Sequence, residues 1–272
     1  MRALLLLLRR LRAFVVRDFQ LAVSYRMEFF MRVLSILIVT TTLYFISQIF
    51  SGFTDIQFAQ WQHPLAAWLT GLAVLNYFMT GFSSLATAIR QEQMQGTLES
   101  VLLTPISVPT VIVASSTWDF VQATLYSFFY LFFGWLFFDV RYQGNFLLAL
   151  LFLLLTTLVL ACLGILSASF AMVFKRGDPF GIFLGAGSAL FSGVFFPTEL
   201  LGAGFGKVSR ILPPTYGLDG IRRVLIEGQG LREVRDPLVT LLLFLVVLLP
   251  FSLWVFGRAV RRAKREGSLI QY

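Results

Sequence analysis

The sequence predicts an all-α integral membrane protein: six transmembrane helices preceded by an N-terminal amphipathic helix in the membrane interface. Three observations predict it. Apolar residues make up 57% of the 272 residues and charged ones only 13%, whereas soluble domains carry about 25% charge. The apolar residues are gathered into blocks long enough to cross a bilayer, which takes about 20 residues as a helix. The basic residues stand mostly in the flanks of those blocks.

Residues 1–28 form the interface helix. On a helical wheel Leu4, Leu7, Leu8, Leu11, Phe14 and Val15 gather on one side, and Arg2, Arg9, Arg10, Arg12 and Arg17 on the other. That pattern suits a helix lying in the cytoplasmic interface. The run Leu4 to Leu8 is too short for a cleaved signal, and no small-x-small site follows it. The membrane domain covers 29–257, with spans at about 29–50, 64–89, 108–138, 145–174, 179–197 and 237–257. A basic tail, 258–272, carries Arg258, Arg261, Arg262, Lys264 and Arg265.

An even number of spans puts both basic termini on one side, and basic flanks mark the cytoplasm. Lys175 and Arg176, between spans four and five, land on the same side, while the loops 51–63 and 139–144 hold only Arg141 between them. The segment 198–236 is an exception, because it contains Lys207, Arg210, Arg222, Arg223, Arg232 and Arg235 yet falls outside. Long loops translocate with little regard to charge. The arginine-rich tail and the single cysteine, Cys162, fit an inner (plasma) membrane without disulfides. The net charge of +8 sits beside spans, which points to anionic lipid headgroups rather than nucleic acid.

Two features lie within the spans. Gly177, Gly181, Gly185, Ala189 and Gly193 recur every fourth position, on one face of the fifth helix. Small residues let another helix approach closely, either within one subunit or near a subunit interface. Asp119 falls about midway along the third span, where a charge costs about 3 kcal/mol to insert. It is expected to face the bundle, with Asn76 and Gln122 as neighbours. It reads either as part of a substrate pathway or as a hydrogen bond that fixes helix packing.

The sequence nominates no catalytic group. The single histidine, His63, stands at a span boundary, and no Cys/His cluster has metal-ligand spacing. Gly202-Ala-Gly-Phe-Gly206-Lys207-Val208 has three residues between its outer glycines and no Ser or Thr after the lysine, so it is not a phosphate-binding loop. ATP and Mg are therefore not expected to bind this chain.

The loop between spans two and three reads Arg90-Gln-Glu-Gln-Met-Gln-Gly-Thr-Leu-Glu-Ser-Val-Leu-Leu-Thr-Pro105. Leu98, Val101, Leu102 and Leu103 give a short helix an apolar face, and Thr104-Pro105 ends it. Such a helix, over about 91–104, can dock into a groove of a soluble partner. Glu92, Gly96-Thr97-Leu98-Glu99, Leu102-Leu103 and Thr104-Pro105 resemble the signature of type 2 ABC transporter permeases. A second resemblance lies in Phe191-Ser-Gly-Val-Phe-Phe-Pro197, then Leu212-Pro-Pro-Thr-Tyr216 and Asp219-Gly-Ile-Arg222.

The resemblance implies the membrane subunit of an exporter of polysaccharides, glycolipids or drugs. It implies short helices re-entering from outside over about 198–236. It implies a second permease copy, most simply a homodimer, and a separate ATPase subunit that binds ATP and Mg. Glu92, Gly96, Thr97, Leu98 and Glu99 would form the coupling helix that contacts that ATPase, in a mechanical role. Two other classes compete. One is an ion-gradient-driven secondary transporter or channel using Asp119; the other is a membrane scaffold docking a different partner.

Overall fold

The structure is a computed structural model that describes residues 16, 19–20, 23–51, 63–94, 108–174, 179–198 and 202–265. Eight helices are delimited among them: α1 (Arg26–Ser51), α2 (Pro64–Met94), α3 (Val108–Phe138), α4 (Phe146–Phe174), α5 (Pro179–Phe191), α6 (Gly202–Ile211), α7 (Pro213–Leu225) and α8 (Arg235–Arg265). No strand occurs among the described residues. Five helices hold stretches long and apolar enough to cross a membrane: Arg26–Ile49, Pro64–Leu85, Thr117–Phe138, Phe146–Phe170 and Arg235–Arg262.

The helix bounds follow the apolar blocks, with three differences. The last span predicted at 237–257 continues as helix to Arg265, so the first residues of the basic tail are helical. The second runs on to Met94, so residues 91–94 continue α2 instead of opening a separate helix. The segment predicted as a fifth span over 179–197 is helical only through Phe191. Thirteen residues rise about 20 Å, short of the roughly 30 Å of a bilayer's hydrocarbon. The helix ends there because Gly193 takes φ +84°, a left-handed conformation open to glycine. Pro197 follows four residues later.

Of the residues before α1, Val16, Phe19, Gln20, Val23, Ser24 and Tyr25 are described, all exposed and all but Tyr25 helical. Phe19 meets Trp118 of α3 edge to face at 6.0 Å. The residues of the predicted amphipathic pattern, apolar (Leu4 to Val15) and basic (Arg2 to Arg17) alike, lie outside the described residues.

α2 is the centre of the bundle. Of its apolar window 72% is buried, against 11% for α1 and for α8. It packs against α3 on one side and α4 on another, with α5 and α7 over the rest. At the α2–α4 crossing the backbones touch. A Cβ on Gly164 would collide with the Gly81 carbonyl oxygen, and one on Gly81 would lie 2.7 Å from Leu160 Cβ. Phe78, Phe82, Phe152, Leu160, Leu218 and Leu241 fill the core around that crossing, each at most 1% exposed.

α7 begins with Pro213 and Pro214, residues suited to a helix start because the first turn needs no amide donors. Pro214, Gly217, Leu218, Ile221, Val224 and Leu225 are buried, a three-and-four spacing that lays one face on the bundle. Gly217 and Gly220 lie directly on Thr156 and Phe152 of α4, with no room for a Cβ. The 139–145 loop closes over the far end of α7, where Gln143 N–H donates to Leu225 O at 3.0 Å. Asn145 then caps α4, its Oδ1 accepting from Leu147 N–H at 2.9 Å and Leu148 N–H at 3.3 Å.

Candidate functional site

Ending α5 early leaves peptide carbonyls that no helix satisfies, and in an apolar setting each needs a donor. Two side chains supply them. Arg222, on α7, donates from Nη1 to Gly193 O at 2.6 Å and from Nη2 to Val194 O at 3.0 Å. Trp68, on the first turns of α2, donates from Nε1 to Phe195 O at 3.0 Å. The same guanidinium reaches α2, with Nη2 2.8 Å and Nε 3.3 Å from Ala67 O. One planar fork therefore joins α7, the break after α5 and the Pro64 end of α2.

The pin depends on a glycine. A Cβ on Gly71 would stand 2.8 Å from Val194 O and 2.9 Å from Arg222 Nη2. Arg223, one residue on, takes a different direction and pairs with Asp219 at 2.9 Å. The positive guanidinium also lies past the C-terminal end of α5, where the helix dipole favours a cation.

A polar seam joins α2 to α3. Ser127 Oγ donates to Ala73 O at 2.6 Å, Asn76 Nδ2 to Ala123 O at 3.1 Å, and Tyr77 OH to Thr124 Oγ1 at 2.5 Å. Asp119 and Gln122 are half-buried on α3 beside it. The structure thus brings Asn76 to the turn of α3 that follows Asp119, and its bond goes to the Ala123 backbone.

The stripe of small residues is only partly described. Gly177 and the surroundings of Gly181 lie outside the described residues. Gly185 is buried against α2, where a Cβ would be 3.0 Å from Met79 Sδ. Ala189 is half-buried. Gly193 does not continue the stripe, because its left-handed φ places it beyond the helix. Glu92 sits on the last turn of α2; its side chain, and all of Gly96, Thr97, Leu98 and Glu99, lie outside the described residues.

Sequence reasoning quoted Arg222 within a motif but gave it no role, and it passed over Trp68. A signal was present. On the wheel of 213–225, Arg222 falls one turn after Leu218, at the border of the apolar face, where a solvated arginine has no reason to be.

No curated protein matches the chain at a significant level. The sequence model of the ABC-2 type transporter family matches residues 9–226, a stretch that holds the central helix α2, the loop motif and the arginine pin. The chain is a multi-pass membrane protein and belongs to the ABC-2 type transporter family.

Proposed function

We propose that this chain is the transmembrane permease subunit of an ATP-binding-cassette exporter, moving an amphipathic substrate (lipid-linked glycan, glycolipid or drug) outward. A separate ATPase subunit binds ATP and Mg and does the hydrolysis. Two permease copies, most simply identical, enclose the pathway, in an inner (plasma) membrane with both termini cytoplasmic. On this reading α5 with the bent 192–197 stretch makes a broken fifth crossing, and α6 and α7 are short helices re-entering from outside.

The observation that carries the reading is the course of α2. This one helix, the most buried span, runs without a break from the Arg222 pin at Ala67 to Glu92 at the start of the loop motif. Its 31 residues rise about 45 Å. A push by the ATPase on the coupling helix, at Glu92, Gly96, Thr97, Leu98 and Glu99, is thereby delivered to the far end, where rigid-body shifts open or close the pathway. Nothing in this transmission is catalytic. Among the described residues no group of His, Cys, Asp and Glu could hold a metal.

The test is ATP hydrolysis by the candidate ATPase, alone and with the purified chain in lipid, comparing wild type with Glu99→Arg. Wild type should bind the ATPase and alter its rate. Charge reversal in the docking helix should break that effect, because interface charges set register and mismatched ones cost several kcal/mol. If no ATPase copurifies and Glu99→Arg behaves as wild type, the exporter reading fails. A gradient-driven transporter using Asp119 then becomes the alternative.

A further inference from the structure

We infer that Arg32 and the α1–α3 face around it form a binding site for the headgroup of an anionic glycerophospholipid. Arg32 stands six residues after Arg26, the first residue of α1, about 9 Å along an apolar helix. Its guanidinium lies 4.9 Å from the centroid of the Tyr126 ring on α3, a cation–π contact that favours one placement of a flexible side chain. That ring is itself held, since Phe29 packs against both Tyr126 at 6.4 Å and Phe129 at 6.2 Å.

What the cation lacks is an anion. Among the described residues Arg32 makes no hydrogen bond and no ion pair, and Glu28, one turn earlier, does not bridge to it. An exposed guanidinium with none of its five donors engaged by a described residue favours a phosphate, which accepts two parallel N–H bonds. The surface beyond the cation selects an amphiphile over a free anion. Met31, Leu34 and Ile38, 56%, 37% and 58% exposed, share a neighbouring face of α1, about a third of a turn around the helix from Arg32, along which acyl chains would lie while the headgroup reaches round to Arg32. This site does not depend on the proposed transport cycle.

The full chain in detergent is titrated separately with phosphatidylglycerol and phosphatidylcholine, and bound lipids are counted by native mass spectrometry. Wild type should hold one phosphatidylglycerol in preference to phosphatidylcholine. Arg32→Gln should weaken that first binding about fivefold, the effect of one arginine near an anionic surface, while Arg32→Lys keeps part of it. Thermal unfolding guards against a misfolded variant. In phosphatidylcholine nanodiscs Arg32→Gln should melt as wild type does, and added phosphatidylglycerol should raise the wild-type midpoint alone. Equal phosphatidylglycerol binding or equal midpoint shifts in the two chains would overturn the inference. So would Arg32-dependent binding of dodecyl phosphate without binding of phosphatidylglycerol, which would give the site to a single-chain amphiphile instead.

Discussion

Replacing Arg222 with methionine keeps much of the side-chain volume and deletes the fork that joins α7, α2 and the break after α5. Four N–H···O contacts vanish, at 2.6, 2.8, 3.0 and 3.3 Å, to the carbonyls of Gly193, Ala67 and Val194. Hydrogen bonds to a charged group contribute about 1.5–3 kcal/mol each, but these share one guanidinium and do not add. Ala67 O lies within α2, where a helical amide can also serve it. Gly193 O and Val194 O lie past the end of α5 and lose their donor outright, at about 1–3 kcal/mol apiece. We expect a loss of about 2–4 kcal/mol, which by the scaling for soluble domains lowers the melting midpoint by roughly 5–10 °C. Arg222→Lys, with a single ammonium that cannot fork, should recover less than half. Gly71→Ala pushes a methyl into the same pin, so the double variant should lose less than the sum of the singles. The assay is thermal unfolding in nanodiscs. A midpoint for Arg222→Met within 1–2 °C of wild type, or strict additivity with Gly71→Ala, would refute the pin.

Two further outcomes follow from the packing. Gly164→Val forces a branched side chain against the Gly81 carbonyl; because backbone cannot step aside, it should destabilise by about 2–3 kcal/mol, and unchanged melting would mean that α2 and α4 do not cross there. Tyr142, in the loop between α3 and α4, has a buried hydroxyl without a hydrogen-bond partner, and burial pushes its phenol well above the usual range. The unfolded chain releases that proton near pH 10 while the folded chain retains it, so this group's contribution to stability is intact below pH 10 and lost as pH rises further. Tyr142→Phe should flatten that alkaline decline and, by removing an unsatisfied hydroxyl, stabilise by up to about 1 kcal/mol at neutral pH; a steeper decline would contradict the burial.

The parts legible in the sequence were those governed by length and apolarity. α3 begins and ends where its apolar block does, at Val108 and Phe138, and α4 within a residue of the expected start. The fifth segment was not legible in the same way, because Phe191-Ser-Gly-Val-Phe-Phe-Pro197 is apolar enough to read as continuous span. Its fate is decided elsewhere in the chain. The break survives because Trp68, 127 residues from Phe195, and Arg222, 29 residues from Gly193, satisfy the carbonyls it exposes. Asn76 shows the converse case. The sequence named it only as a neighbour of Asp119, and the structure shows it bonded to the Ala123 backbone one turn on, which no pairing of side chains would suggest.

The two faces of α2 are built differently, and the difference bears on how the helix moves. Toward α3 it is tied by three directed bonds from Ser127, Asn76 and Tyr77, each of which fixes rotation and register at once. Toward α4 the closest approach is at glycines, Gly81 and Gly164, where backbone meets backbone with the side chains of Leu85 and Leu160 beside them and no directed hydrogen bond among the described residues. A bonded seam transmits displacement, whereas an apolar crossing held by packing alone leaves room for the small shear of packed helices. An impulse entering at the Met94 end would therefore carry α2 and α3 together across α4, and the Arg222 fork at the Pro64 end is the contact that such a motion must strain first. Gly164→Val thus roughens the surface on which the proposed motion depends, and a variant that still folds should be impaired in coupling to the ATPase beyond its loss of stability.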